Sequence, residues 1–114
     1  MAAPDDLLFI SMAARLLGMH PQTLRKYERL GLVTPARVVG SVRLYSRDEV
    51  ERLRLIKRLV EDAGVNLAGV QRLLSVADAI ARIRPLADNG ALARAEGRRR
   101  LAQELDRLAA ALGL

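Results

Sequence analysis

The sequence predicts a mainly α-helical winged helix-turn-helix fold, with a small two-stranded β wing and a C-terminal helix suited to dimerisation. Three observations predict it. Two short amphipathic helical segments are separated only by Gly18, Met19 and His20, the arrangement of a helix-turn-helix. Two β-prone runs flank Gly40-Ser41, as in a tight hairpin. Ser46-Arg47-Asp48-Glu49 has the Ser-x-x-Glu form of a capping box and opens a further helix.

The first helix is expected to take Ser11 as its N-cap, bury Ala13, Ala14 and Leu17, and stop at Gly18. The second starts with Pro21 at its first position, where a missing N–H costs nothing, and carries Leu24, Tyr27 and Leu30 on one side up to Gly31. That leaves Gln22, Thr23, Arg25, Lys26 and Arg29 on the other sides, a polar and mainly cationic surface. In a helix-turn-helix this end enters the major groove, where Arg or Lys pairs with guanine and Gln with adenine. Thr23 and the first backbone N–H groups could hold a phosphate. His20 reads as a helix-start residue beside the backbone, and Glu28 as the partner of a neighbouring arginine.

Across the wing, residues 35–45, glycine at the first turn position suits a type II′ hairpin. That register sets Val39 opposite Val42 and Val38 opposite Arg43. In the third helix Tyr45 and Val50 bracket the capping box as a hydrophobic staple, and Val50, Leu53, Ile56 and Val60 form a stripe ending at Gly64. A fourth helix opens at Asn66 and runs through Leu73, Leu74, Ala77 and Ile80. Pro85 is expected to end it near Ile83. Asp88-Asn89-Gly90 is a turn signal. The last helix spans Ala91 to Leu112, with Leu101, Leu105, Leu108 and Leu112 recurring as an a/d stripe. The stripe either packs on its own domain or forms an intermolecular seam. The seam is preferred, because so small a domain gains burial most readily from a partner. The expected organisation is a tail at 1–7, a winged-helix domain at 8–83, a turn at 84–90 and a dimerisation helix at 91–114.

With 114 residues there is room for one modest core and a helical extension. No cysteine is present, which removes disulfides, thiolate metal sites and thiol redox switches. A lone His20 cannot build a zinc site, and no nucleophile motif accompanies it. Neither an enzyme nor a metal or other cofactor is expected. No apolar run reaches the ~20 residues of a membrane span, and Met1 to Asp6 carries acids where a targeting peptide would carry bases. A cytoplasmic, nucleoid-associated protein is therefore expected. Net charge is +6, and residues 1–60 hold 11 Lys/Arg against 6 Asp/Glu while 61–114 hold 8 against 7. The basic excess lies in the half that carries the helix-turn-helix, as a polyanion-binding surface requires.

Ile10 to Ala14, the run Met19-His20-Pro21-Gln22-Thr23-Leu24-Arg25-Lys26-Tyr27-Glu28-Arg29-Leu30-Gly31-Leu32-Val33-Thr34-Pro35, and Gly40 to Tyr45 with Arg43 together resemble the MerR superfamily winged helix, over roughly residues 8–83. Within it, Gly64-Val65-Asn66-Leu67-Ala68-Gly69-Val70 and Met19 to Thr23 are similar to the heat-shock repressors called HspR. The GVNLAG element also resembles the nitrogen-control repressors GlnR and TnrA.

The resemblance implies a homodimeric repressor of heat-shock and chaperone genes that binds an inverted repeat in double-stranded DNA, with the chaperone DnaK as co-repressor. Carried over by position, the DNA contacts are Gln22, Thr23, Arg25, Lys26 and Tyr27 in the second helix and Arg43 and Tyr45 in the wing, with Leu101, Leu105, Leu108 and Leu112 for dimerisation. Arg43 has a competing role linking wing to helix, and Tyr45 doubles as staple. Lys26 stands where many relatives have an aromatic residue, and Val42 replaces an aromatic or Gly. Two rivals stay open: a promoter-distorting activator of the same superfamily, and a helical protein-interaction module with no specific DNA site.

Overall fold

In the computed structural model, which describes residues 7–88 and 90–114, the first helix does not begin at a Ser11 cap. A two-residue strand, β1 (Leu8–Phe9), runs directly into α1 (Ile10–Leu17), whose N-cap is Phe9 with no side-chain hydrogen bond. Pairing of β1 with a neighbouring strand sets the start, and Ser11 falls inside the helix. The 1–7 tail lies outside the described residues apart from Leu7, as does Asn89 of the predicted turn.

α1 ends as expected at Gly18, whose φ of 64° is the left-handed value that terminates helices. α2 (Pro21–Arg29) follows, and then β2 (Arg37–Val39) and β3 (Val42–Tyr45) form the wing. Val39 pairs with Val42 and Val38 with Arg43, the predicted register. Gly40 has a φ of 62° and Ser41 is not in the positive-φ region, the sign pattern of a type II′ turn. The sheet has three strands in the order β1-β3-β2, not two, because Leu8 pairs with Tyr45 and Phe9 with Leu44.

α3 (Arg47–Lys57) opens with the predicted capping box: Glu49 N–H donates to Ser46 Oγ and Ser46 N–H to Glu49 Oε1. The helix then widens into a π turn (Arg58–Asp62) before Gly64. Two α3 side chains fasten the segments before it. Lys57 Nζ donates to the Leu17 carbonyl at 2.6 Å, and Arg52 Nε to the Leu32 carbonyl at 2.8 Å. The first is a cation on the carbonyl end of α1, where the helix dipole favours it. The buried residues of this part are Ala13, Ala14, Leu17, Leu24, Tyr27, Leu32, Val33, Tyr45, Val50, Leu53 and Ile56. Each large one contributes on the order of 1.5–3 kcal/mol by leaving water.

The chain divides after Val65 into two compact units, a boundary inside the 8–83 span expected for the winged-helix domain. The second unit is a helical hairpin. Asn66 Oδ1 accepts from Gly69 N–H at the start of α4 (Leu67–Asp88). α4 does not stop near Ile83. It continues through Pro85 to Asp88, so residues 84–88 of the expected turn are helical. A proline deletes one N–H and crowds one carbonyl, a local cost that packing along a neighbouring helix can outweigh. A short 3₁₀ turn (Ala91–Ala93) leads into α5 (Ala95–Leu112), which starts four residues later than predicted. Arg82 pairs with Glu104 at 2.6 Å and Arg72 donates to the Ala111 carbonyl at 3.1 Å, so α4 and α5 run antiparallel. Among the described residues no helix is long and apolar enough to cross a membrane.

Gly97 sets how closely α5 follows the 3₁₀ turn. It is buried, and a Cβ built there would collide with the Ala91 carbonyl, whose carbon would lie 2.6 Å away. Gly→Ala inside a helix ordinarily stabilises by about 0.5–1 kcal/mol. Here the sign should invert: Gly97→Ala is expected to lower the thermal midpoint followed by circular dichroism. A midpoint at or above that of the parent would show that the backbone contact is not a constraint.

Candidate nucleic-acid interface

α2 is built so that one face is locked and the other open. His20 caps it: Nδ1 accepts from Gln22 N–H at 3.1 Å, and the His20 carbonyl accepts from Thr23 N–H at 2.9 Å. Pro21 has no N–H to offer. The first backbone donors are therefore already engaged, and the phosphate seat expected from them is reduced to side chains. Leu24 and Tyr27, three positions apart, turn inward and are buried. Gln22, Arg25, Lys26 and Arg29 border them, and the structure leaves Gln22, Arg25 and Arg29 exposed. Among the residues proposed for contact on this helix, Thr23 is half-buried and Lys26 exposed.

The aromatic candidates are placed differently. Tyr27 is 7% exposed and Tyr45 fully buried, so both rings belong to the core. Burial raises the Tyr27 phenol above its ordinary value, and the charge of Glu61 adds to the shift. On the wing, Arg37, Val38, Val39, Gly40, Ser41 and Val42 are exposed and Arg43 is half-buried.

Wing and helix meet at Glu28. The Arg43 Nε–H is shared between the two Glu28 carboxylate oxygens at 2.7 and 2.8 Å, and the Tyr45 hydroxyl donates to Oε1 at 3.2 Å. Arg43 Nη1 also donates to the Ser41 carbonyl at 3.3 Å, bracing the hairpin turn. The hydrogen bond to Glu28, and then its charge, raise the Arg43 guanidinium above its usual value. An exposed ion pair is worth roughly 0–1 kcal/mol. Glu28 has a side chain only 20% exposed, and two of its donors come from one strand, so the carboxylate is held in one geometry more firmly than in a lone surface pair. The predicted linking role of Arg43 is thus realised, and its partner is Glu28. The Lys57 and Arg52 clamps carried no sequence signal, since they join residues 40 and 20 positions apart.

Tyr45 gives this cluster a readable signature. Burial first, then the Glu28 charge and hydrogen bond, push its phenol from 10.0 up to about 12. A raised folded value means that its contribution to stability is complete below the unfolded value of 10.0 and is lost as pH climbs toward about 12. Absorbance titration of phenolate should show one tyrosine ionising near that upper limit, together with a fall in stability, and Tyr45→Phe should remove both. An ordinary titration near pH 10 would mean that the hydroxyl is open to water.

Residues 9–76 match the family described as MerR HTH family regulatory protein. A Streptomyces coelicolor protein with the provisional name heat shock protein HspR is 49% identical over 74 residues, 65% of this chain and 49% of that protein. The mercuric resistance operon regulatory protein of Bacillus cereus is 42% identical over 62 residues, 54% of this chain and 46% of its own. The transcriptional regulator GlnR of Bacillus anthracis is 37% identical over 65 residues, 57% and 50% of the two chains. The chain spans about half the length of the curated relatives it matches. These relatives are named as regulators or as a heat shock protein, not as enzymes. On the winged helix and the family match together, the chain belongs to the MerR family of helix-turn-helix transcriptional regulators.

Proposed function

We propose that the chain is a sequence-specific DNA-binding repressor of heat-shock and chaperone genes, acting as a homodimer on an inverted-repeat operator. The observation that carries the DNA reading is the open face of α2, where Gln22, Arg25 and Lys26 are exposed beside half-buried Thr23. The heat-shock assignment rests on the similarity to the Streptomyces protein of that name. Gln22, Thr23, Arg25 and Lys26 approach the major groove, where bidentate contacts to base edges read sequence. Tyr27, Arg43 and Tyr45 serve the same interface mainly by holding α2 and the wing in place. The chaperone DnaK, implied by the HspR resemblance, would act as co-repressor. Similarity to GlnR, together with the Gly64 to Gly69 element, supports a second reading as a nitrogen-control regulator of the same family.

Homodimerisation is assigned to residues 91–114. On α5, Leu105 and Leu112 are 49% and 53% exposed, while Leu101 and Leu108 are half-buried. Two-fold symmetry would place two recognition helices in successive major grooves, about 34–36 Å apart.

Selection of bound fragments from random duplex DNA should return an inverted repeat, and upstream regions of chaperone genes should compete best. Fragments without a common sequence would defeat the repressor reading. Arg25→Ala should cost about 1–3 kcal/mol and relax preference at one position of each half-site. A reduction of equal size on every duplex would reassign Arg25 to phosphate. Replacing Leu105 and Leu112 by Ser should give monomers by sedimentation with helicity retained; persistent dimers would move the interface elsewhere.

A further inference from the structure

α5 carries its charge against its own dipole. Residues 94–100 hold four arginines and one glutamate, whereas 101–114 hold two acids and one arginine. A helix dipole favours acids at the start and bases at the end. α5 nonetheless starts behind Arg94 with no side-chain cap, and no basic residue stands in its last turn. Three other arginines of this unit are used internally: Arg82 and Arg107 reach Glu104, and Arg72 reaches the Ala111 carbonyl. Arg94, Arg98, Arg99 and Arg100 are all exposed. Among the described residues no carboxylate pairs with any of them, and Arg98 makes one bond, to the Leu92 carbonyl at 2.9 Å. Glu96 in the first turn offsets one of these charges, and the three that remain within two helical turns repel one another, a cost that an anion from outside the chain would relieve.

The surroundings indicate what that is. Arg94 and Arg100, with Leu86, Ala91, Glu96 and Gly97, line a recess of about 150 Å3. Glu96 on the same rim repels a lone small anion, so affinity has to come from many charges at once. No apolar side chain larger than alanine lies within 94–100, and the buried aromatic or aliphatic anchor typical of a protein partner is missing from the run. Guanidinium forks match phosphate oxygens two at a time.

We infer that this arginine run is a second DNA-contacting surface, which holds backbone phosphates of duplex DNA outside the helix-turn-helix and wing. The inference rests on the DNA-binding reading above. It adds footprint and salt dependence but no sequence information, because phosphates are the same at every step.

The test uses the full chain and a random-sequence duplex of about 40 base pairs, long enough for two half-sites one helical turn apart. Affinity is measured by anisotropy across a series of KCl concentrations for the parent and for the triple variant Arg98→Gln, Arg99→Gln, Arg100→Gln. Removing one arginine that neutralises a phosphate flattens the slope of log K against log [salt] by about 0.9, and in the proposed homodimer each substitution removes two, so the triple variant should be flatter by about 5 and the single variant Arg99→Gln by about 2. Sequence preference on a selected operator should survive, and the thermal midpoint should hold or rise as like charges are removed. An unchanged slope in both variants overturns the inference and leaves the repressor reading intact. A parent chain that binds no duplex defeats the repressor reading and this inference with it.

Discussion

One carboxylate decides where the wing stands relative to the recognition helix. Arg43 and Tyr45 are alternate residues of β3 and so share a face of the strand. Glu28 accepts from both. The strand supplies two donors at a fixed spacing, and the helix supplies one acceptor whose height along α2 is set by the burial of Tyr27 beside it. A single exposed Arg–Glu pair would spend its gain on ordering two long side chains. Here the tyrosine ring is already immobilised in the core, so its hydroxyl fixes the carboxylate at little further entropic cost, and the carboxylate then fixes the arginine. Arg25 and Lys26 on the same helix remain exposed, so one face of α2 holds the wing while another keeps its cations open to solvent.

What could be read from the sequence was local. The capping box, the register of the hairpin, Gly18 as a stop and Pro21 as a start each depend on residues within four positions, and each is present. The features that escaped reading depend on distance along the chain. β1 is two residues long, too short for any periodicity, and exists because β3 offers an edge to Leu8 and Phe9. Lys57 and Arg52 look like solvated charges on the outer side of α3, yet they close the carbonyl ends of two earlier segments. Glu28 was legible as an ion-pair partner, but the choice of Arg43, 15 residues away, needed the hairpin to fold back.

Two local rules pointed the wrong way, each for want of the same information. Ser11 is a good cap that gave way to strand pairing at Phe9. Pro85 is a good stop that did not stop α4. In both cases a preference worth about 1–3 kcal/mol is set against packing that only the assembled unit reveals. The aromatic residues show the same conflict, since the resemblance implies DNA contacts for Tyr27 and Tyr45 while their rings are enclosed.

The second unit carries the remaining argument for an assembly of two chains. The stripe on α5 separates into two lines, Leu101 with Leu108 and Leu105 with Leu112, each spaced by seven. The first line is half-buried and the second largely open. On α4, Leu73 and Ile80 repeat the same spacing and are also exposed. A hairpin spanning Asn66–Leu114 is close to the ~40–60 residues at which a chain buries too little of its surface to be secure alone. Its inward residues, Val70, Leu74, Ala79 and Ala91, are few and mostly small. Heptad-spaced apolar pairs left open on both helices of so small a unit are unfavourable in water. A second copy laid antiparallel along them would cover the same residues on both chains at once, which is the self-complementary contact that two-fold symmetry requires.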